Sequence, residues 1–361
     1  NDIYIATRMG AINQLNCGTT TLGDWCHNNP SPDHTDAAVS GLKESGIRAL
    51  FMHGSPKPDP QPGQPHFSEI PHPRHEIKRL LKGELANPKG LVTLGMAILG
   101  PHYSTLDVTL KDFALAKEFG LVASMHQGGG AAVAPGAWDE VESRGLLGPD
   151  INIVHGQSLD DGQMSRFCAS GVTFSIAPEN EMTQGHGFPV TGLVRQHGGV
   201  VSLGVDLESV LSGDMFSVAR AALGMQRSLD NDASRREQGK IPDTSTITTR
   251  EALGWITLDG AKALGLDARI GSLTPGKQAD LVLIDSNKLN MQPVNDPVST
   301  VVMQTSLANI DSVMVAGQFK KRSGRLLINT EQGIAELARS GHRIHAELLA
   351  REAHSTQEAN Q

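Results

Sequence analysis

The sequence predicts an α/β fold in which parallel strands are joined by helical crossovers. Short β-branched or apolar runs alternate with helical patterns, strand then helix, seven times in succession. Near residue 270 the alternation gives way to short strands and tight turns. Residues with metal-binding or proton-transfer chemistry stand where three of the apolar runs end. By itself the alternation fits an open doubly wound sheet or a (β/α)8 barrel.

The first strand is read at "TTTLGD" (19–24), followed by a helix in "DHTDAAVSGLKESG" opened by an Asp cap. "IRALFMHG" is a strand. The Pro-rich "SPKPDPQPGQPHFSEIPHP" (55–73) has too few backbone donors for regular structure and is a long loop. "RHEIKRLLKGELA" is helical, "LVTLGMAILG" a strand, "TLDVTLKDFALAKEFG" a helix and "LVASMH" a strand. "NIVHG", "VTFSIA" and "VVSLGVD" are strands, each followed by a helical pattern, and a loop is expected over 178–190. The helix in "DMFSVARAALGMQRSLDN" repeats its apolar residues at spacings of three and four. Beyond residue 270, "GSLTPGKQADLVLID", "TVVMQTSLANIDSVMVAGQFKK" and "RLLIN" read as an antiparallel appendage of short strands, and a last helix precedes a polar tail. The expected division is 1–270, 271–328 and 329–361.

With 361 residues, 39% hydrophobic and 19% charged, the chain has the composition of an ordinary globular protein. Its net charge of −8 argues against nucleic acid or an anionic membrane as a partner. The one basic cluster, "SRREQGK", reads as a solvated loop. Cys17, Cys26 and Cys168 are scattered and odd in number, which points to a reducing, cytoplasmic setting. There is no apolar run long enough to span a bilayer and no signal segment. The first residue is Asn1, so the sequence reads as starting inside something longer.

His126, His155 and Asp206 close three of the strands. Two imidazoles and a carboxylate suit Zn2+ or Fe2+, and a bound cation brings the pKa of a coordinated water toward neutrality. Asp206 would accept that water's proton and pass it to the leaving group. Taken singly, each residue has a plainer reading. A strand-end histidine is often a hydrogen-bonded structural residue, the glycines after His126 make a turn or an anion nest, and an aspartate caps a helix. The three together favour function. In "PENEMTQGHGFP", Glu181 and His186 would overhang the strand ends and face substrate, and His27 in "GDWCHNN" is placed similarly. His34, His66, His72, His75, His342 and His345 are read as solvated.

The stretches "GTTTLGDW", "IVHGQSLDD", "SLGVDLESVLSGDMF" and "EALGWITLDGAKALGLDARIGSLTPGKQADLVLID" resemble the metal-dependent amidohydrolase superfamily, in its cytosine deaminase-like and triazine hydrolase-like branch. The resemblance covers about residues 5–325 and implies a (β/α)8 TIM-type barrel with a small antiparallel β-sandwich and one divalent metal, zinc or iron. It makes His126 the fifth-strand ligand, His155 the sixth-strand histidine that polarises the substrate or joins the metal, and Asp206 the eighth-strand ligand and proton shuttle. The family's His-x-His pair occurs nowhere in the sequence. The first strand and part of the sandwich, roughly 100 residues on domain-size grounds, are therefore expected to be missing. Where deaminases of this branch carry a Glu three residues after the fifth-strand His, this chain has Gly129.

The resulting expectation is a cytoplasmic hydrolase. It would cleave a non-peptide C–N bond of a small cyclic or heteroaromatic substrate with metal-activated hydroxide. Its partner is that small molecule, and it assembles as a homodimer or larger. The alternative is a non-catalytic relative that binds a small molecule or a partner without turnover.

Overall fold

Seven strands form one parallel sheet whose spatial order is their order in the chain. In the computed structural model they are β1 (Thr21–Cys26), β2 (Arg48–Gly54), β3 (Val92–Ala97), β4 (Ala123–Gln127), β5 (Ile151–His155), β6 (Thr173–Ile176) and β7 (Val200–Leu203). The structure describes residues 1–128 and 130–359, with side chains described as far as Glu352. Gly129, the position of the expected departure from the deaminase pattern, lies outside the described residues. Every neighbouring pair is parallel, for example Leu22 opposite Ala49 and His126 opposite Val154.

The connections are the expected helices. Before and between the first five strands lie α1 (Asp2–Asn16), α2 (Pro32–Ser45), α3 (Arg74–Lys82), α4 (Gly100–Tyr103), α5 (Leu106–Phe119) and α6 (Ala137–Ser143). After β5 come α7 (Asp161–Ala169), α8 (Pro178–Gln184), α9 (Thr191–Gln196), α10 (Met215–Gln238), α11 (Thr249–Trp255) and α12 (Leu258–Ala263). Local chemistry sets several ends. Asp160 and Gln163 form a reciprocal capping box at α7, and Thr248 and Glu251 do the same at α11. α5 stops at Gly120, whose left-handed backbone (φ 62°) costs a glycine little.

The sheet curls strongly. In a flat sheet β1 and β4 would lie about 14 Å apart. Here the Trp25 and His126 rings, one on each strand, have centroids 4.2 Å apart. Leu264, just past α12, packs with Trp25, Leu50, Met52, Ala97 and Val122 on the concave face. It reaches there because Gly23 has no side chain: a Cβ at that position would stand 2.9 Å from Leu264 Cδ2. The convex face holds the larger core, in which Phe51, Met96, Met125, Ile153 and Phe174 meet the helices. All seven residues of β2 are buried, whereas no residue of the edge strand β1 is fully so.

Beyond α12 the chain forms a four-stranded antiparallel sheet, ordered β11-β10-β9-β8. Its strands are β8 (Leu281–Ile284), β9 (Ile310–Val315), β10 (Gln318–Arg322) and β11 (Arg325–Leu326). Arg48 ties the two sheets together. Its Nε and Nη2 donate to the Asp280 carboxylate at 2.6 and 3.0 Å, with both side chains buried.

Some elements depart from the sequence reading. The first strand is shifted to 21–26. The segment 300–305, read as strand, lies largely in helix α13 (Pro297–Gln304), which Pro297 opens and Asp296 caps. The expected loop over 178–190 begins with α8, again opened by a proline at its first residue. The N-terminal α1 has no forerunner in the sequence reading and packs on α2 and on the last helix, α14 (Glu331–Ala359).

Candidate metal centre and active site

The curl brings together the residues that end β4, β5 and β7. Single ligand atoms of His126, His155 and Asp206 all lie within 4.8 Å of one another. Their surroundings differ. His126 is half-buried and its Nδ1 has no hydrogen-bond partner among the described residues. Desolvation first, then the charges of His155, Lys57, His27 and His186, hold its pKa well below the usual histidine range. It is therefore a neutral imidazole with a free lone pair.

His155, 3% exposed, is the last residue of β5 and adopts a left-handed backbone (φ 70°). Its Nδ1 lies 2.9 Å from Glu181 Oε1. A carboxylate only accepts, so Nδ1 carries the proton and Nε2 is left with its lone pair. Asp206 follows β7, is exposed, and is also left-handed (φ 64°). Asn180 Nδ2 donates to its Oδ2.

α8 thus holds both strand-end groups with adjacent residues. Asn180 (2% exposed) grips Asp206, and Glu181 (0% exposed) grips His155. Glu181 Oε1 also accepts from the Ala177 backbone N–H at 2.9 Å, which fixes the carboxylate at the start of its own helix. Glu181 Oε2 and Asn180 Oδ1 are buried without a partner among the described residues. Glu181 was expected in a loop facing substrate; it lies in a helix with its carboxylate turned to His155.

His186 stacks on His155, with centroids 4.9 Å apart and planes 26° apart. A Cβ on Gly128 would stand 3.2 Å from His186 Nδ1, so the residue after β4 is small where this ring sits. His27 is exposed at the rim and meets Trp25 edge-on at 5.4 Å. Desolvation and then the Lys57 charge lower its pKa. Trp25 touches both His27 and His126, and its indole Nε1 is buried with no partner among the described residues. All the singled-out residues therefore border one region.

Sequence reasoning missed Trp25, Asn180 and Lys57. It also read His72 as solvated, and this is corrected: His72 is buried, with Nε2 3.1 Å from His53 Nδ1 and Nδ1 3.2 Å from Ser55 Oγ. Burial pushes His53 down to about 4 and His72 to about 3. That pair belongs to the outer side of β2, because His53 alternates with the concave residue Met52.

Comparison with known proteins follows this geometry. A 5'-deoxyadenosine deaminase of Methanobrevibacter smithii is 25% identical over 356 residues, covering 93% of this chain and 74% of that protein. A 5-methylthioadenosine/S-adenosylhomocysteine deaminase of Teredinibacter turnerae is 33% identical over 192 residues, 53% of this chain and 41% of that protein. Among solved structures, an adenosine deaminase from Xanthomonas campestris with bound zinc superposes with a TM-score of 0.79. It has 22% identity and covers 95% of this chain and 75% of that one. An atrazine chlorohydrolase variant from Arthrobacter aurescens, complexed with zinc and atraton, gives a TM-score of 0.78 at 18% identity, covering 94% and 76%. These two likenesses show the fold. The model of the amidohydrolase family matches residues 1–320, and the chain belongs to that family, as a hydrolase acting on carbon–nitrogen bonds.

Proposed function

We propose that this site hydrolyses a C–N bond of a small heteroaromatic substrate, with an adenine-like ring as the first class to try, and that His126, His155 and Asp206 hold one divalent metal. The observation that carries this is the convergence of those three residues at the ends of β4, β5 and β7. The donor set fits zinc, with iron as the second choice: two imidazole nitrogens and a carboxylate. The surroundings fit as well. The His126 imidazole is held neutral, and each of the other two groups is oriented by an α8 residue, as ligands of bound metals are. When bound, the metal supplies a water activated for attack at neutral pH.

The protein's own residues do the rest. Asp206 takes the proton of the attacking water and delivers it to the departing nitrogen as the C–N bond breaks. Asn180 holds one Asp206 oxygen and leaves the other for this transfer. Glu181 keeps the His155 Nε2 lone pair turned to the cluster. Trp25, His186 and His27 form the wall against which a flat ring would lie.

The wider reading places the seven strands as the second to eighth of a (β/α)8 barrel in the cytosine deaminase-like and triazine hydrolase-like branch, with 1–270 as its share of the chain. It places residues 271–328 as part of a β-sandwich and 329–361 as a helical end. Among the described residues no helix is long and apolar enough to cross a membrane, and all three cysteines are free, which supports the cytoplasmic assignment. Assembly as a homodimer or larger belongs to the same reading.

The test joins metal content per chain, by elemental mass spectrometry, with turnover of adenine nucleosides and aminotriazines. The expected result is close to one zinc or iron per chain, lost in His126→Ala and Asp206→Ala, and a fall in kcat of about 10²–10⁴-fold in Asp206→Asn. Full activity in both Asp206→Asn and His155→Ala would overturn the mechanism. A chain without metal or turnover that still binds these compounds would establish the non-catalytic alternative.

A further inference from the structure

The concave face of the parallel sheet has two halves of different chemistry. On β1, β2 and β3 the inward positions are apolar or bare: Gly23, Trp25, Leu50, Met52 and Ala97 lie against Leu264. Strand alternation and register carry the same face onto β4–β7. Ser124 and His126 alternate with the convex residue Met125 and so point inward. Asn152 lies opposite Ser124, and Thr173 opposite Asn152. The next row reads His126, Val154, Ser175, Ser202, each the registered neighbour of the one before. This half is polar, and its groups are joined. Asn152 Oδ1 accepts from Ser124 Oγ at 2.9 Å and from Ser175 Oγ at 3.1 Å, and Asn152 Nδ2 donates to Thr173 Oγ1 at 3.1 Å. Ser175 Oγ and Ser202 Oγ are 2.9 Å apart, and Ser202 Oγ also stands 3.1 Å from the Phe174 carbonyl oxygen. Ser124, Asn152, Thr173 and Ser202 are buried, whereas Ser175 is half-buried, as are Val154 and His126 in its own row. Ser175 is thus the hydroxyl of this belt that opens onto the interior, in a row that holds a strand-end histidine.

A hydroxyl has one proton and two lone pairs. Ser175 gives its proton to Asn152 Oδ1, yet that oxygen keeps the Ser124 bond when Ser175 turns away. Ser202 stands ready to donate into Ser175 Oγ, which strengthens Ser175 as a donor in its turn. Ser175 can therefore hand its proton to a ligand without stripping Asn152 of its acceptor bond. The complement of such a donor is an acceptor, and a ring nitrogen of a heteroaromatic compound is one. We propose that Ser175 donates a hydrogen bond to a ring nitrogen of the substrate, as a specificity residue of this site, and that Ser202 is the residue that positions it. This rests on the reading of His126, His155 and Asp206 as the reaction centre. Ser175 lies two strands from His126, about 10 Å across the sheet before its curl is counted. A ring held at the strand ends spans that distance with one edge. The two halves of the concave face then divide the work: the apolar half takes the flat of the ring, and the polar half reads its edge.

The experiment measures binding of adenosine and its 1-deaza, 3-deaza and 7-deaza analogues, in which one ring nitrogen at a time becomes C–H. The proteins are the metal-loaded parent, Ser175→Ala, Ser202→Ala and Ser124→Ala. Binding is read by calorimetry and turnover of adenosine by absorbance. In the parent, one analogue is expected to bind about 3- to 10-fold more weakly than adenosine, the worth of a neutral hydrogen bond. Ser175→Ala should weaken adenosine by the same factor and leave that analogue unaffected, so that the two losses do not add. Ser202→Ala should give a smaller loss with the same pattern. Ser124→Ala removes a hydroxyl from the buried row; it should lower the melting temperature and leave the ratio of adenosine to analogue as in the parent. Additive losses, equal adenosine affinity in parent and Ser175→Ala, or no binding of adenosine by the parent overturns the proposal. Non-additive, Ser175-dependent binding without hydrolysis would sustain the hydrogen bond while removing the hydrolase reading. Hydrolysis accompanied by additive losses would do the reverse.

Discussion

Exchanging Glu181 for glutamine replaces one buried oxygen by an amide nitrogen, and the surroundings set the cost. In the native protein Oε1 accepts from His155 Nδ1 and from the Ala177 N–H, each at 2.9 Å, while Oε2 is buried with no partner among the described residues. Glutamine keeps an oxygen able to accept both bonds. Its NH2 then occupies the unpartnered place, leaving donors unmet at about 1–3 kcal/mol. The protein should still fold. The larger consequence is electrostatic. A negative carboxylate on Nδ1 makes Nε2 a better donor to a cation, and a neutral amide does not. Losing that support typically costs about 10–100-fold in metal affinity, or about 1.4–2.7 kcal/mol. Competition with a coloured chelator on metal-stripped, reloaded protein measures this directly, and Co2+ absorbance reports on the ligand set. Glu181→Ala, which also removes the acceptor, should weaken metal more and destabilise more. If both variants bind Zn2+ within twofold of the parent while melting lower, Glu181 serves the fold alone and His155 is not held as a ligand.

The buried ion pair between the sheets and one buried carboxyl give two further tests. Arg48→Ala should cost about 3–5 kcal/mol, because it leaves Asp280 buried beside β2 without its bonded partner; chemical denaturation measures it, and a loss below 1 kcal/mol would mean the pair is no anchor. Burial pushes Asp112 up to about 7, against the backbone N–H of His72, which donates to it at 2.8 Å. The folded state thus holds a proton that the unfolded chain releases near 3.8, so this contribution is full below that pH and is lost as the pH rises to about 7. Asparagine does not titrate. Asp112→Asn should therefore gain on the parent between pH 5 and pH 8 by up to about 3 kcal/mol, and parallel stability profiles would refute the buried charge.

Much of this site was legible because strand ends announce themselves. "SMH", "NIVH" and "SLGVD" each finish an apolar run on a group able to bind metal, and a parallel sheet gathers such ends at one face. The helix holding two of those groups was not legible as such. Pro178 opens it as helix-starting prolines do, but the glycines after Gln184 gave the segment the look of a loop. Glu181 consequently seemed free to meet substrate. His72 looked solvated because it sits between prolines; only the packing of α3 and α5 shows that it is enclosed. In α13, β-branched residues suggested a strand, and tertiary packing with the Asp296 cap prevailed over that propensity.

Among the described residues, four non-glycine positions have a left-handed backbone: Ala316 and Ser323 in turns of the antiparallel sheet, and His155 and Asp206 at the ends of the parallel strands. Such conformations cost about 1–3 kcal/mol where a side chain must be carried. At the exposed Asp206 a glycine would relieve that strain and lose only the Asn180 contact. At His155 it would also empty a buried place and take from Glu181 its ring partner, so the strained backbone and the buried carboxylate hold each other in position.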